Sequence, residues 1–144
     1  MLARLYRTLP HLSRVPGLPN LFDAFLMGHT ALFHHERLSA LHEIEHSVIS
    51  WPGVMTKIHR FGGTEFTLGR REIGHLHGNG LLDIPFSKEL RNQLINQKLA
   101  QPHHIFPKSN WVSFYVRTVA DVPRAVYLLR LNYERWKNTD AQQV

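Results

Sequence analysis

Four short runs of residues, separated by three glycine-containing turns, constrain the fold of this chain more than any other feature. Gly62 and Gly63 separate the first two runs, Gly69 follows the second, and the turn after the third contains Gly80. Glycine adopts the backbone angles of tight turns, and short strands joined by such turns form antiparallel hairpins. The sequence therefore predicts consecutive antiparallel strands at 54–61, 64–68, 71–77 and 81–86.

Helical patterns flank this predicted sheet on both sides. Residues 20–50 carry an apolar stripe at steps of three and four, with Asn20 as a candidate N-cap and a break expected near 28–30. The remaining predicted elements are a helix after Ser87, a connector at 102–107, a strand at 111–118 and a helix capped by Asp121. The predicted fold class is α+β: N-terminal helices, then an antiparallel sheet of about five strands with two helices packed on one face.

The length of 144 residues suits one domain. We predict a basic N-terminal arm at 1–19, a single α+β domain at 20–138 and a C-terminal tail at 139–144. The arm contains three arginines and no acidic residue. It is therefore a candidate for peripheral contact with an anionic membrane surface, although a short amphipathic segment lying on the domain is the simpler interpretation.

Composition and charge exclude several classes of protein. The formal net charge is +6, but no run of basic residues alternates with aromatic residues as in single-strand nucleic-acid binders, so we expect no nucleic-acid partner. The absence of cysteine excludes disulfides, thiolate metal sites and a thiol nucleophile, and it fits a reducing compartment. No apolar run reaches the length of a membrane span. We therefore predict a cytoplasmic protein, and its oligomeric state is left open.

Two histidines spaced H-x-H are the strongest chemical signal in the sequence. His75 and His77 lie in the third predicted strand, where alternate side chains share a face, so both imidazoles project together with Arg71 and Ile73. Pairing of the third and fourth strands brings Asp83 near them. Converging imidazoles can move protons near neutral pH or bind a metal. The simpler alternative is a histidine pair satisfied by hydrogen bonds across the sheet, with solvated ion pairs beside it.

A second pattern, His42-Glu43-Ile44-Glu45-His46, matches the H-E-x-x-H motif of zinc peptidases. On a helix, His42 and His46 lie one turn apart and could share a zinc ion while Glu43 activates water. Both imidazoles fall on the polar side of the apolar stripe. A solvated helix face is therefore the favoured interpretation, and a zinc hydrolase is the alternative.

Aromatic residues mark the strand predicted at 111–118. Trp111 and Tyr115 share one face and Phe114 faces the other, as strand alternation requires. Aromatic side chains in strands are usually core residues, and a flat ligand stacked beside Trp111 is the alternative. The preceding connector supplies two more imidazoles, His103 and His104.

Taken in order along the chain, these motifs resemble the small luciferase-like domain family, whose best-known member is the fungal luciferase. The residues that carry the resemblance are Arg71-Glu72-Ile73, the H-x-H pair, 82–86, His103, the strand from Trp111, and Tyr133 near the end of the last helix. The likeness to fungal enzymes covers about 70–135. The likeness to short bacterial-type members extends over nearly the whole chain.

The resemblance implies a cofactor-independent oxygenase with dioxygen as co-substrate. The fungal enzyme adds dioxygen to an electron-rich hydroxypyrone, 3-hydroxyhispidin, and the resulting peroxide loses carbon dioxide with emission of light. This sequence differs from the fungal pattern in three respects. It lacks the N-terminal membrane-spanning segment, it is shorter between His103 and Trp111, and it has Asp83 where the fungal sequences carry a histidine. We therefore expect a small aromatic or pyrone substrate, either a 3-hydroxyhispidin-like hydroxypyrone or a related phenol, with or without light emission.

The hypothesis from the sequence gives each site residue a role. His75 or His77 removes the enol proton, Arg71 or His103 stabilises the peroxide, and Glu72 or Asp83 orients an imidazole. The residues expected to contact the substrate are Asp83, His104, Trp111 and Tyr115. Two alternatives remain open beside the zinc hydrolase. One is a metal-assisted oxygenase using His75, His77, His103 and a carboxylate, and the other is a non-catalytic module that binds a small ligand.

Overall fold

The computed structural model describes residues 17–141, so most of the predicted basic arm, including its expected membrane contact, lies outside the described residues. The helices are α1 (Leu18–Phe33), α2 (His35–Ile49), α3 (Lys88–Asn96) and α4 (Val122–Ala141), the last preceded by the short 3₁₀ helix Val119–Asp121. The strands are β1 (Val54–Ile58), β2 (Thr64–Leu68), β3 (Arg71–Leu76), β4 (Leu81–Pro85), β5 (Gln101–Pro102) and β6 (Trp111–Tyr115).

The N-terminal helical region divides at a different place from the one predicted. The break falls at His34, which has φ −140° and ψ 63°, rather than near 28–30. Gly28 lies within α1, and no atom outside its own helix would contact a β-carbon there. The predicted N-cap was also wrong, because α1 begins at Leu18 after Gly17, whose φ of +81° is in the left-handed region. The Ser87 cap was predicted correctly: its hydroxyl accepts a hydrogen bond from the backbone N–H of Leu90.

The six strands form one antiparallel sheet in the order β1-β2-β3-β4-β6-β5. The predicted α+β class is confirmed. The strand missing from the prediction is β5, whose two residues are too few to produce an alternating pattern. No helix among residues 17–141 has both the length and the apolar content that crossing a bilayer demands.

One face of the sheet forms the hydrophobic core with α2 and α4. A transverse row on this face runs from Phe66 through Gly74 and Ile84 to Val112. Gly74 is needed here because a β-carbon at this position would lie 2.9 Å from the Leu129 side chain of α4. Burial of these apolar side chains stabilises the fold at roughly 25 cal/mol per Å². Because the core occupies this face, the alternate residues of the same strands face the other way.

A β-bulge in β3 corrects the predicted side-chain alternation. Phe66 pairs with Gly74 and Thr67 pairs with Glu72, so Ile73 is an extra residue on β3. An extra residue in a strand moves the side chains that precede it to the opposite face of the sheet. Strict alternation predicted that Arg71 and Ile73 share a face with His75. The bulge makes that prediction wrong. Glu72 takes that place instead.

Two side chains of α4 hold the bulge. The side-chain amide of Asn132 donates to the carbonyl of Ile73 at 2.8 Å, and Asn132 is fully buried. The indole N–H of Trp136 donates to the carbonyl of Glu72 at 2.9 Å. Bulged carbonyls have lost their partners in the ladder, so buried ones require donors of this kind. The last helix thereby fixes the backbone that carries Glu72.

We expect Asn132→Ala to lower the free energy of unfolding by about 1 to 3 kcal/mol, because it leaves the buried carbonyl of Ile73 without its donor. Asn138→Ala is the matched control, since Asn138 is an exposed residue on the same helix. Chemical denaturation of both variants measures the difference. Equal stability of the two variants would show that the bulge does not depend on this hydrogen bond.

Candidate functional site

The second face of the sheet carries a continuous row of polar side chains. The cross-strand register aligns, in order, Lys57, Glu65, His75, Asp83, Ser113 and Gln101. Lys57 and Glu65 form an ion pair at 3.0 Å at one end of the row. The centre of the row is buried, with His75 5% and Asp83 0% exposed. The strand alternation that directs apolar side chains into the core therefore also places these polar side chains together on the opposite face.

Asp83 is the centre of the site. Its Oδ1 accepts a hydrogen bond from the hydroxyl of Ser113 and lies 3.5 Å from His104 Nδ1. Its Oδ2 has no hydrogen-bond partner. Three imidazole Nε2 atoms surround Oδ2, at 3.6 Å (His75), 4.0 Å (His77) and 3.7 Å (His103). Burial on its own raises the pKa of Asp83, but the imidazoles of His104 and His75 outweigh burial and hold that pKa below its usual range.

His75 lies between two carboxylates. Its Nδ1 is 2.6 Å from Glu72 Oε1, and its Nε2 faces Asp83. Burial lowers the pKa of His75, but the interactions with Asp83 and Glu72 outweigh burial and raise it to about 9. The β-bulge makes this possible, because it turns Glu72 onto the same face as His75.

His77 is positioned by α1. Its Nδ1 lies 3.4 Å from Asp23 Oδ1, and the same Asp23 oxygen accepts a hydrogen bond of 2.9 Å from the backbone N–H of Gly78. The hydroxyl of Thr30 donates to the carbonyl of Gly78 at 2.7 Å. The helix therefore contacts the turn after β3 through two hydrogen bonds and brings a carboxylate to the second imidazole.

His103 has a tautomer that its neighbours determine. Its Nδ1 accepts hydrogen bonds from the backbone N–H groups of Ile105 (3.2 Å) and Phe106 (3.0 Å). The proton of the neutral imidazole must therefore be on Nε2, which faces Asp83. Burial lowers the pKa of His103 more than the Asp83 carboxylate raises it, which favours this neutral form.

Aromatic rings enclose the histidines on one side. His59 stacks on His75 with ring centroids 3.7 Å apart and an interplanar angle of 10°. Burial and the neighbouring His75 and His77 lower the pKa of His59 to about 3. The Trp111 ring lies 5.5 Å from that of His75 and 6.1 Å from that of His103. A flat surface therefore borders the cluster, which we define as His59, Glu72, His75, His77, Asp83, His103 and His104.

A cavity of about 160 Å³ lies near the cluster, although no cluster residue lines it. Ser113, which hydrogen-bonds to Asp83, forms part of its lining together with Tyr115. Burial and the Asp83 carboxylate raise the pKa of Tyr115. Its charged lining consists of three cationic residues, Lys98, Arg117 and Arg124, and one carboxylate, Asp121. The cavity is therefore suited to a small ligand that carries negative charge.

Most of the residues predicted for the site lie together, but some do not. The structure brings together Glu72, His75, His77, Asp83, His103, His104 and Trp111, and it places Tyr115 in the adjacent cavity. The described contacts of Arg71 are with α4 instead: its guanidinium donates to the carbonyl of Trp136 at 3.3 Å and lies over that ring. The bulge explains this position, because it turns Arg71 to the helix-covered face.

The H-E-x-x-H motif lies on α2, where His42, Glu43 and His46 are exposed. Within residues 17–141, three groups of side chains are close enough to share a metal ion, and none of them includes His42 or His46. The interpretation of this motif as a solvated helix face therefore fits its position better than the zinc-binding one.

Sequence reasoning missed three members of the site. His59 lies two residues after Lys57 and therefore points to the same face of the sheet. Its backbone N–H donates a hydrogen bond to the carbonyl of Gly63, which continues the β1–β2 hairpin. Alternation along this hairpin could therefore have identified it. Ser113 shares its face with Trp111, and the same rule applies. Asp23 comes from a helix far away in the sequence, and no local pattern identifies it.

The family model described as the Luciferase domain matches residues 70–132. The match is consistent with a luciferase-like domain family, and it confirms over this segment the resemblance inferred from the sequence. The segment contains the H-x-H pair, Asp83, His103 and Trp111. No curated protein and no solved structure gives a significant match. The wider likeness to short bacterial-type members stays a prediction.

We expect Gly78→Ala to destabilise the protein by about 1 to 3 kcal/mol through overpacking. A β-carbon at Gly78 would lie 2.8 Å from the backbone nitrogen of Met27, so α1 would have to move away from the turn. Gly28→Ala on the same helix is the control, since open space surrounds it and alanine favours helix there by about 0.5 to 1 kcal/mol. Thermal melts should therefore shift in opposite directions. A matching shift in both would contradict the tight approach of α1.

Proposed function

We propose that this protein is a luciferase-like oxygenase that adds dioxygen to an electron-rich planar enol, such as a hydroxypyrone or a related phenol. The observation that carries the proposal is the convergence of the H-x-H pair and His103 on the buried carboxylate of Asp83. The family match over 70–132 supports the reaction class, because these residues lie within it.

The groups of the cluster meet the requirements of such a reaction. An enol must lose its proton before it can transfer an electron to dioxygen, and imidazole and carboxylate groups are suitable acceptors. The peroxide that forms needs hydrogen-bond donors, and the Nε2–H of His103 points into the cluster. The low exposure of His75 and Asp83 excludes water, which strengthens both interactions.

The surroundings of the cluster support a flat, acidic substrate. Trp111 borders the histidines and offers a stacking surface. The cavity beside Ser113 is lined by Lys98, Arg117 and Arg124, whose positive charges outnumber the single carboxylate of Asp121 and attract an enolate. Light emission, the identity of the substrate and a reaction without a cofactor remain predictions of the resemblance.

The experiment is oxygen uptake by the purified full-length chain with hydroxypyrones and simple phenolic enols. We expect His75→Ala and His77→Ala each to lower the rate about 100- to 10,000-fold, the usual contribution of a positioned acid or base. His46→Ala, an exposed histidine on α2, is the control and should retain the wild-type rate. Circular dichroism of each variant checks that the fold is kept.

Tight binding of these compounds without oxygen uptake would contradict the proposal and favour a non-catalytic binding module. Near-normal oxygen uptake in both His75→Ala and His77→Ala would also contradict it, because the reaction would then not depend on the cluster.

A separate variant tests the zinc-hydrolase alternative. Glu43→Gln would abolish peptidase activity if the H-E-x-x-H motif held a catalytic zinc. We expect it to leave oxygen uptake unchanged, because Glu43 is exposed on α2 and takes no part in the cluster. Peptidase activity in the wild type that Glu43→Gln removes would support the hydrolase instead.

A further inference from the structure

The buried Oδ2 atom of Asp83 needs a partner that the neighbouring side chains do not supply. A buried carboxylate oxygen without a hydrogen bond is costly, and Asp83 is 0% exposed. His75 Nε2 and His77 Nε2 both face this oxygen, but from 3.6 and 4.0 Å. Charge-assisted N–H···O bonds close to about 2.7–2.9 Å, so neither contact is one.

The separations are instead close to those around a shared cation. Metal–nitrogen bonds of about 2.1 Å put neighbouring ligand atoms about 3.0 to 3.4 Å apart in octahedral and tetrahedral sites. The ligand atoms of His75, His77 and Asp83 all lie within 4.8 Å of one another. A small inward movement of the side chains is therefore enough to bring all three to bonding distance of one ion.

The groups behind the two imidazoles give independent support. Glu72 lies 2.6 Å from His75 Nδ1, and Asp23 lies 3.4 Å from His77 Nδ1. Metal-binding histidines characteristically donate their second ring N–H to a carboxylate, which fixes the tautomer and leaves the other nitrogen free to coordinate. His75 has this arrangement with Glu72 of the β3 bulge. His77 has a carboxylate on the corresponding side, Asp23 of α1, but at 3.4 Å it is too far for such a hydrogen bond.

His103 is part of the site as a hydrogen-bond donor and not as a metal ligand. Its Nδ1 accepts two backbone hydrogen bonds, so its Nε2 carries the proton and has no lone pair to offer a metal. The three-histidine set considered from the sequence is therefore reduced to two histidines and one carboxylate. The Nε2–H of His103 is left to donate a hydrogen bond beside the ion.

We propose that His75 Nε2, His77 Nε2 and Asp83 Oδ2 bind one divalent first-row transition metal ion. Two imidazoles and a carboxylate with further positions open are the ligand set of non-haem ferrous oxygenases. The choice of ferrous iron among these metals rests on the proposed oxygenase function, whereas the site itself rests on geometry alone. The inference is an alternative to the cofactor-independent reaction expected from the resemblance.

The experiment uses the full-length chain purified without a histidine tag, stripped with chelator and then titrated. Anaerobic ferrous iron measures stoichiometry by elemental analysis after dialysis, and cobalt(II) reports coordination through its visible absorption. We expect one metal ion per chain. His75→Ala, His77→Ala and Asp83→Asn should each weaken binding at least about 100-fold, and Glu72→Gln should weaken it about 10- to 100-fold.

Two controls make the result specific to this site. His42→Ala removes an exposed imidazole of the H-E-x-x-H motif and should leave affinity unchanged. His103→Ala should change affinity by no more than a few-fold. If Asp83→Asn fails to fold by circular dichroism, His77→Ala carries the test, because its side chain is more exposed than those of His75 and Asp83.

Several outcomes would overturn the inference. The first is that the wild-type chain retains no metal after dialysis. The second is that His75→Ala and His77→Ala bind metal as tightly as the wild type. The third is that His42→Ala loses metal binding. Loss in His103→Ala equal to that in His77→Ala would overturn the two-histidine set. Metal binding and oxygen uptake fail separately. One metal per chain without oxygen uptake supports this inference and contradicts the proposed function, and oxygen uptake by a chain that binds no metal does the reverse.

Discussion

A carboxylate buried in the middle of a β-sheet is the constraint on which the rest of this structure depends. Asp83 is inaccessible to solvent, and its neighbours on both adjacent strands are polar: His75 on β3 and Ser113 on β6. A charge in such a position is stable only when compensating groups surround it. The surrounding imidazoles and the hydroxyl of Ser113 compensate the charge of Asp83. The same groups form the candidate reactive surface.

The two faces of the sheet are coupled through the bulge in β3. On the core face, α4 supplies Asn132 and Trp136 to the bulged carbonyls. On the other face, the same irregularity turns Glu72 towards His75. Helix packing and the orientation of an imidazole are therefore parts of one local structure. A perfectly regular strand would have presented Arg71 to the site and Glu72 to the core.

The sequence predicted the sheet well because the glycine turns and the strand alternation are local signals. It also predicted that His75, His77 and Asp83 would meet, since hairpin pairing between adjacent strands follows from the turn. It could not predict the bulge, because the preference for an extra residue at Ile73 comes from tertiary hydrogen bonds with Asn132. The helix break at His34 was missed for a similar reason: Gly28 is tolerated inside α1, and the break occurs where no glycine or proline marks it.

The contribution of α1 has a consequence for how this site can vary among related chains. Asp23 and His59 both precede the segment that the family model matches, yet they contact His77 and His75 within it. Two proteins with the same matched segment can therefore differ in the group behind the second imidazole. Divergence in reactivity within such proteins need not leave any trace in the residues by which they are recognised as relatives.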